Sequence, residues 1–107
     1  MAKVILSPLA EEDIDQARRF TLERFGEAKD EEYKELIHLA LRELEANPQA
    51  GKHRPDIFPY AWTLHIGRSG KRARHLFLYR IDLDDRVQIA RLLYDGMDLP
   101  RHVPKDF

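Results

Sequence analysis

The chain has 107 residues, no cysteine and a formal net charge of −1. That length fits one domain over residues 1–107, and the absence of cysteine excludes a disulfide framework and thiolate chemistry. No apolar run nears the roughly 20 residues that span a bilayer, and the opening apolar run is too short for a signal peptide, so a cytoplasmic protein without a membrane role is expected.

Val4-Ile5-Leu6 reads as a short strand that stops at Ser7-Pro8. Ser7 suits a helix N-cap and Pro8 the first helical position, where its missing N–H costs nothing. Ala10, Ile14, Ala17, Thr21 and Phe25 keep helical spacing up to the natural stop Gly26. In the second helix Tyr33, Leu36, Ile37, Ala40, Leu41 and Leu44 form an amphipathic stripe that Asn47-Pro48 ends. A short loop over 26–29 makes the pair an antiparallel hairpin.

A loop with Pro48, Pro55 and Pro59 leads to the alternating strand Trp62–Ile66. Residues 67–70 read as a glycine turn. HLFLYRI and RVQIARLLY then form two strands around the acidic turn Asp82–Asp85. The fold class expected is α+β, in the order β-α-α-β-β-β. The sheet is antiparallel, with an N-terminal helical hairpin packed on one face. Strict alternation puts Val87, Ile89, Arg91 and Leu93 on one face of the last strand and Gln88, Ala90, Leu92 and Tyr94 on the other.

Charge is unevenly spread. Residues 11–45 hold twelve acids against six bases, whereas 57–81 hold no acid and include Arg68, Lys71, Arg72, Arg74 and Arg80. A basic edge of this kind suits an acidic or polyanionic partner, although five bases are few for nucleic acid. No phosphate-binding loop, zincin motif or hydrolase elbow occurs, and no cofactor is expected. The five histidines lack ligand spacing on a helix, so no metal is expected, although His65 and His75 on neighbouring strands have a chance to face each other. His65, His75, Tyr79, Tyr94 and the arginines include the residue types that acid–base cleavage of RNA needs, without a spacing that selects a triad.

Four blocks resemble the ParE branch of the RelE/ParE toxin superfamily: LSPLAEEDIDQARRFTLERFG, LRELEANPQAG, RPDIFPYAW and HLFLYRIDLDDRVQIARLLYDGMDLPRH. Together they reach across nearly the whole chain. The resemblance implies the toxin of a type II toxin–antitoxin pair with a RelE/ParE-like fold. Its partners would be a ParD-like antitoxin in a hetero-oligomer and DNA gyrase as target, with no sequence-specific DNA binding by this chain. It implies a protein–protein inhibitor rather than an enzyme. RelE-type relatives instead cut mRNA on the ribosome and commonly carry an arginine early on the third strand, where this chain has Leu76-Phe77-Leu78. Tyr94 stands where ParE-like chains commonly have histidine, and Gly96 replaces the usual tail arginine. Two alternatives stay open: a ribosome-dependent endonuclease using Tyr94, Arg91 and the basic hairpin, and an inactive binding module.

For the antitoxin, whose disordered tail folds into a groove as a helix or an added strand, the candidate contacts are Leu9, Phe20, Tyr33 and Trp62. Phe20 lies off the main stripe of its helix and is the best exposed apolar contact. The candidate target-facing edge comprises Arg68, Lys71, Arg72, Arg74, Arg91, Tyr94, Arg101 and His102.

Overall fold

The structure, a computed structural model, describes residues 1–68 and 71–107, with side chains throughout except at 68 and 71–73. The opening apolar run forms β1 (Val4–Leu6) and leads into helix α1 (Pro8–Phe25). Ser7 caps α1 by accepting the Ala10 N–H at 3.0 Å, which satisfies one of the four free N–H groups of a helix start. Helix α2 (Glu27–Ala46) follows after one residue, Gly26, whose φ of 88° lies in the region glycine favours. The second helix therefore starts six residues before its apolar stripe. Arg18 of α1 clasps Asp30 of α2 with bonds of 3.1 and 2.9 Å. That hydrogen-bonded guanidinium holds the Asp30 carboxyl below its usual range.

Strand β2 (Lys52–His53) comes next, then β3 (Trp62–Arg68), β4 (Lys71–Ile81) and β5 (Val87–Tyr94). The glycine turn expected at 67–70 falls partly outside the described residues. The acidic turn before β5 is tight, with Asp84 and Asp85 both at positive φ, a conformation that aspartate tolerates better than most residues. The sheet runs β1-β5-β4-β3-β2, with β2 to β5 antiparallel. β1 departs from the all-antiparallel expectation by pairing parallel to β5, Val4 opposite Val87 and Leu6 opposite Ile89. Parallel pairing needs a long crossover between the two strands, which both helices and β2 to β4 supply here.

On one face the helices bury Ala10, Ile37, Ala40 and Leu44 against Leu64, Ile66, Phe77, Tyr79, Val87, Ile89 and Leu92. The opposite face carries a smaller core, in which Leu76, Leu78 and Leu93 pack with Ile57, Ala61 and Leu99 under the 54–61 loop and the C-terminal turn. Alternation also breaks in β5. Leu78 sits opposite Arg91 but Tyr79 sits opposite Ile89, so Ala90 is an unpaired bulge residue. Beyond it the pattern restarts, which sends Leu92 to the helix-side core and Leu93 to the other. His65 pairs with Leu76 on the second face, while the His75 ring meets Tyr33 of α2. The two histidines therefore do not face each other.

Candidate partner-binding surface

β1 covers the outer edge of β5 only as far as Ile89. From there α1 takes over the exposed backbone. Ser7 donates its N–H to the Ile89 carbonyl at 3.0 Å and its hydroxyl to the Ala90 carbonyl at 2.8 Å. One turn and a half further along α1, the Asp13 carboxylate accepts the Leu92 N–H at 3.1 Å. The same carboxylate takes two bonds from Arg91, 2.9 Å from Nε and 3.0 Å from a terminal nitrogen. This pairing raises the pKa of Arg91 and leaves only the other terminal nitrogen outside the clamp.

Two depressions flank the clamp. One, of about 350 Å³, lies beside Leu9, Ile89 and Ala90, walled by Arg80, Pro104 and Phe107. The other, of about 270 Å³, lies among Asp13, Gln16, His75, Arg91, Tyr94 and Met97. Positions 9, 13, 16 and 20 recur at helical spacing and share one flank of α1. On or beside that flank, Leu9 is 39% exposed, Phe20 55% and Met97 43%. Exposed apolar side chains beside two depressions make this flank a candidate contact surface.

The candidate antitoxin contacts separate. Leu9 and Phe20 are open. Tyr33 is not: it is 9% exposed and belongs to the helix-side core, with its hydroxyl buried and lacking a partner among the described residues. Burial pushes that phenol's pKa up. Its stripe position, not a surface role, accounts for it. Trp62 is half-buried, stacked 6.2 Å from the Tyr79 ring and 5.2 Å from His53.

The candidate basic edge divides as well. Arg68, Lys71 and Arg72 have side chains outside the described residues. Arg74 lies 4.5 Å over the Tyr94 ring and 3.6 Å from Asp95, and Tyr94 meets the His75 ring edge-on at 5.6 Å. Arg74, Tyr94, Asp95 and His75 form one cluster, which His65 joins through Asp95, 3.4 Å from its Nε2. Burial lowers the His75 pKa, and the nearby Asp95 opposes this only partly. Arg91 is committed to Asp13. Arg101 pairs with Asp98 at 3.2 Å on the turn after β5, and no described contact joins it or His102 to the Arg74 cluster. Among the described residues no group of three potential metal ligands occurs, and no helix is long and apolar enough to cross a membrane.

Sequence reasoning missed Asp13 and the second role of Ser7. Acids favour helix starts in any case, so Asp13 carried no separate signal beyond sharing a flank with Leu9 and Phe20.

The family model for the ParE toxin of type II toxin–antitoxin systems matches residues 4–99, from β1 to the end of the second core. The chain belongs to that family. Toxin ParE1 of Mycobacterium tuberculosis, in strains CDC 1551 / Oshkosh and H37Rv, is 26% identical over 102 residues, covering 95% of this chain and 98% of the relative. A solved chromosomal ParDE system from P. aeruginosa shares the fold at a TM-score of 0.71 and 20% identity, over 88% of this chain and 96% of that one. The matched span of the family model contains the whole α1–β5 clamp and excludes Arg101 and His102.

Proposed function

We propose that this ParE-family toxin acts by protein–protein inhibition of DNA gyrase and is neutralised by a ParD-like antitoxin that lies along the α1 flank. The observation that carries the reading is the Asp13 clamp. It occupies the Arg91 guanidinium, one of the groups with which the RNA-cleavage alternative would hold a phosphate, with bonds of 2.9 and 3.0 Å. Leu76 and Leu78, at the place where the nuclease relatives carry arginine, are buried in a core instead. Burial lowers the pKa of the half-buried His75 imidazole, which disfavours the protonated form that a general acid needs.

The clamp also bears on how the antitoxin docks. An added strand needs a free row of N–H and C=O groups on the sheet edge. Ser7 and Asp13 already use the Ala90 carbonyl and the Leu92 N–H. The surface left is made of side chains, which fits an amphipathic helix that buries Leu9, Phe20 and Met97.

Two assays run side by side test the reading. Purified toxin is expected to block gyrase supercoiling and to spare mRNA in a translation mix, and cognate antitoxin is expected to reverse the block. Cleaved mRNA with normal supercoiling would make the protein a nuclease. Leu9→Glu with Phe20→Glu should weaken the antitoxin complex by roughly 30-fold or more, the loss that follows from removing about 2 kcal/mol of anchor contact. Unchanged affinity would move the antitoxin to another surface.

A further inference from the structure

The loop from Arg54 to Ala61 is neither ordinary connection nor part of the α1 flank. The Arg54 N–H closes its neck on the Ala61 carbonyl at 2.8 Å. Inside, Ile57 donates to Arg54 and Ala61 donates to Phe58, at 3.0 and 2.9 Å. The Arg54 guanidinium grips Asp56 with its shortest bond at 2.8 Å, and Pro55 and Pro59 remove two further backbone torsions. Ile57 and Ala61 are buried in the second core and fasten the loop to the sheet. Such a closed, internally bonded loop is rigid before anything binds it.

On this scaffold Tyr60 stands 67% exposed. Its ring lies tilted against that of Phe58 at 6.1 Å, and Phe58 in turn meets Phe107 edge-on at 5.4 Å. A preorganised, projecting tyrosine offers a large contact area at small entropic cost, and this is the profile of a hot-spot anchor at protein interfaces. The loop's charges argue against nucleic acid, because its one base, Arg54, is spent on its one acid, Asp56. The shape argues against a disordered peptide as occupant, since a projection enters a concavity that only a folded partner presents.

We propose that the Arg54–Ala61 loop is the element that docks on the target protein, with the Tyr60 ring as the anchor seated in a pocket of that target. The inference rests on the reading that the target is a protein, and it assigns target and antitoxin to different surfaces. The test compares wild type, Tyr60→Ala and Tyr60→Phe for supercoiling inhibition, antitoxin affinity and thermal midpoint. Tyr60→Ala should raise the half-inhibitory concentration roughly 30-fold, with antitoxin affinity and midpoint unchanged, while Tyr60→Phe keeps most of the activity. Wild-type inhibition by Tyr60→Ala overturns the proposal. A parallel loss of antitoxin affinity also overturns it, because the loop would then belong to the antitoxin interface. If wild type leaves supercoiling untouched, the gyrase reading fails separately, and growth arrest becomes the readout. Arrest by Tyr60→Ala at wild-type expression then overturns the loop assignment, and loss of arrest supports it.

Discussion

Asp13→Ala is the most informative single change in this molecule. It removes the acceptor for two bonds from Arg91 and one from the Leu92 N–H. Stripping one partner from a fully buried ion pair costs about 3–5 kcal/mol. Here the side chains of Arg91 and Asp13 are 21% and 11% exposed, so water recovers part of that and about 2 kcal/mol remains. The orphaned Leu92 N–H, beside the helix-side core, adds about 1 kcal/mol. The sum is about 3 kcal/mol, which for a domain of this size corresponds to a midpoint lowered by about 12 °C. Thermal unfolding followed by circular dichroism measures it. Asp13→Leu combined with Arg91→Met removes both charges together and should recover all but about 1 kcal/mol. A single-variant shift below about 4 °C, or a double variant less stable than the single, would refute the clamp as the joint between α1 and β5.

Three further outcomes follow from other parts of the fold. Tyr33→Phe deletes a buried hydroxyl that has no partner among the described residues, so it should leave stability unchanged or raise it by about 1 kcal/mol in a denaturant titration, whereas a loss above that size would reveal a hidden bond. Gly51→Ala would set a methyl 2.6 Å from the Tyr79 hydroxyl and against the Thr63 carbonyl, displacing the hydroxyl that bonds the Pro48 carbonyl at 2.7 Å and the Gly51 N–H at 3.2 Å. A loss of about 2 kcal/mol is expected, measured by the same titration. Because burial lowers the His75 pKa in the fold, the unfolded chain takes up its proton first on acidification. The contribution of His75 is therefore fully present above the ordinary histidine pKa near 6.5 and is lost as pH falls through it. Wild type should lose more stability than His75→Gln between about pH 7 and 5, and parallel profiles would contradict this.

The helices were legible because each carries its own punctuation. Ser7-Pro8, Gly26 and Asn47-Pro48 mark ends in any context, and the stripe from Tyr33 to Leu44 needs nothing but its own period to declare a buried face. What escaped depended on residues distant in the chain. A three-residue strand does not announce whether it pairs parallel or antiparallel, and β1 lies 83 residues from the strand it meets. The second core escaped for the same reason, since Ile57 and Leu99 lie in loops and reach Leu76 and Leu93 only after folding. Tyr33 shows the limit of reading aromatics as contact residues, because a stripe position and a docking position look alike until burial is known. Phe20 was legible because it breaks the stripe of its own helix, and it is indeed exposed.

Ala90 links the fold to the surface. With unbroken alternation Arg91 would share the helix-side face with Val87 and Ile89, and a guanidinium there would need a buried partner that the apolar helix stripe does not supply. Leu92 would be turned away from the same core. One inserted residue resolves both conflicts. The bulge leaves Ala90 unpaired with β4, returns Leu92 to the helix side and frees Arg91 to meet Asp13. The carbonyl of the bulged residue is not wasted, because Ser7 donates its hydroxyl to it. An arginine interrupting an aliphatic stripe is thus a sequence-level sign of a register break as much as of a functional charge. In this protein the break falls where β1 stops, so the half of β5 that a neighbouring strand no longer protects is the half that α1 covers with its own side chains.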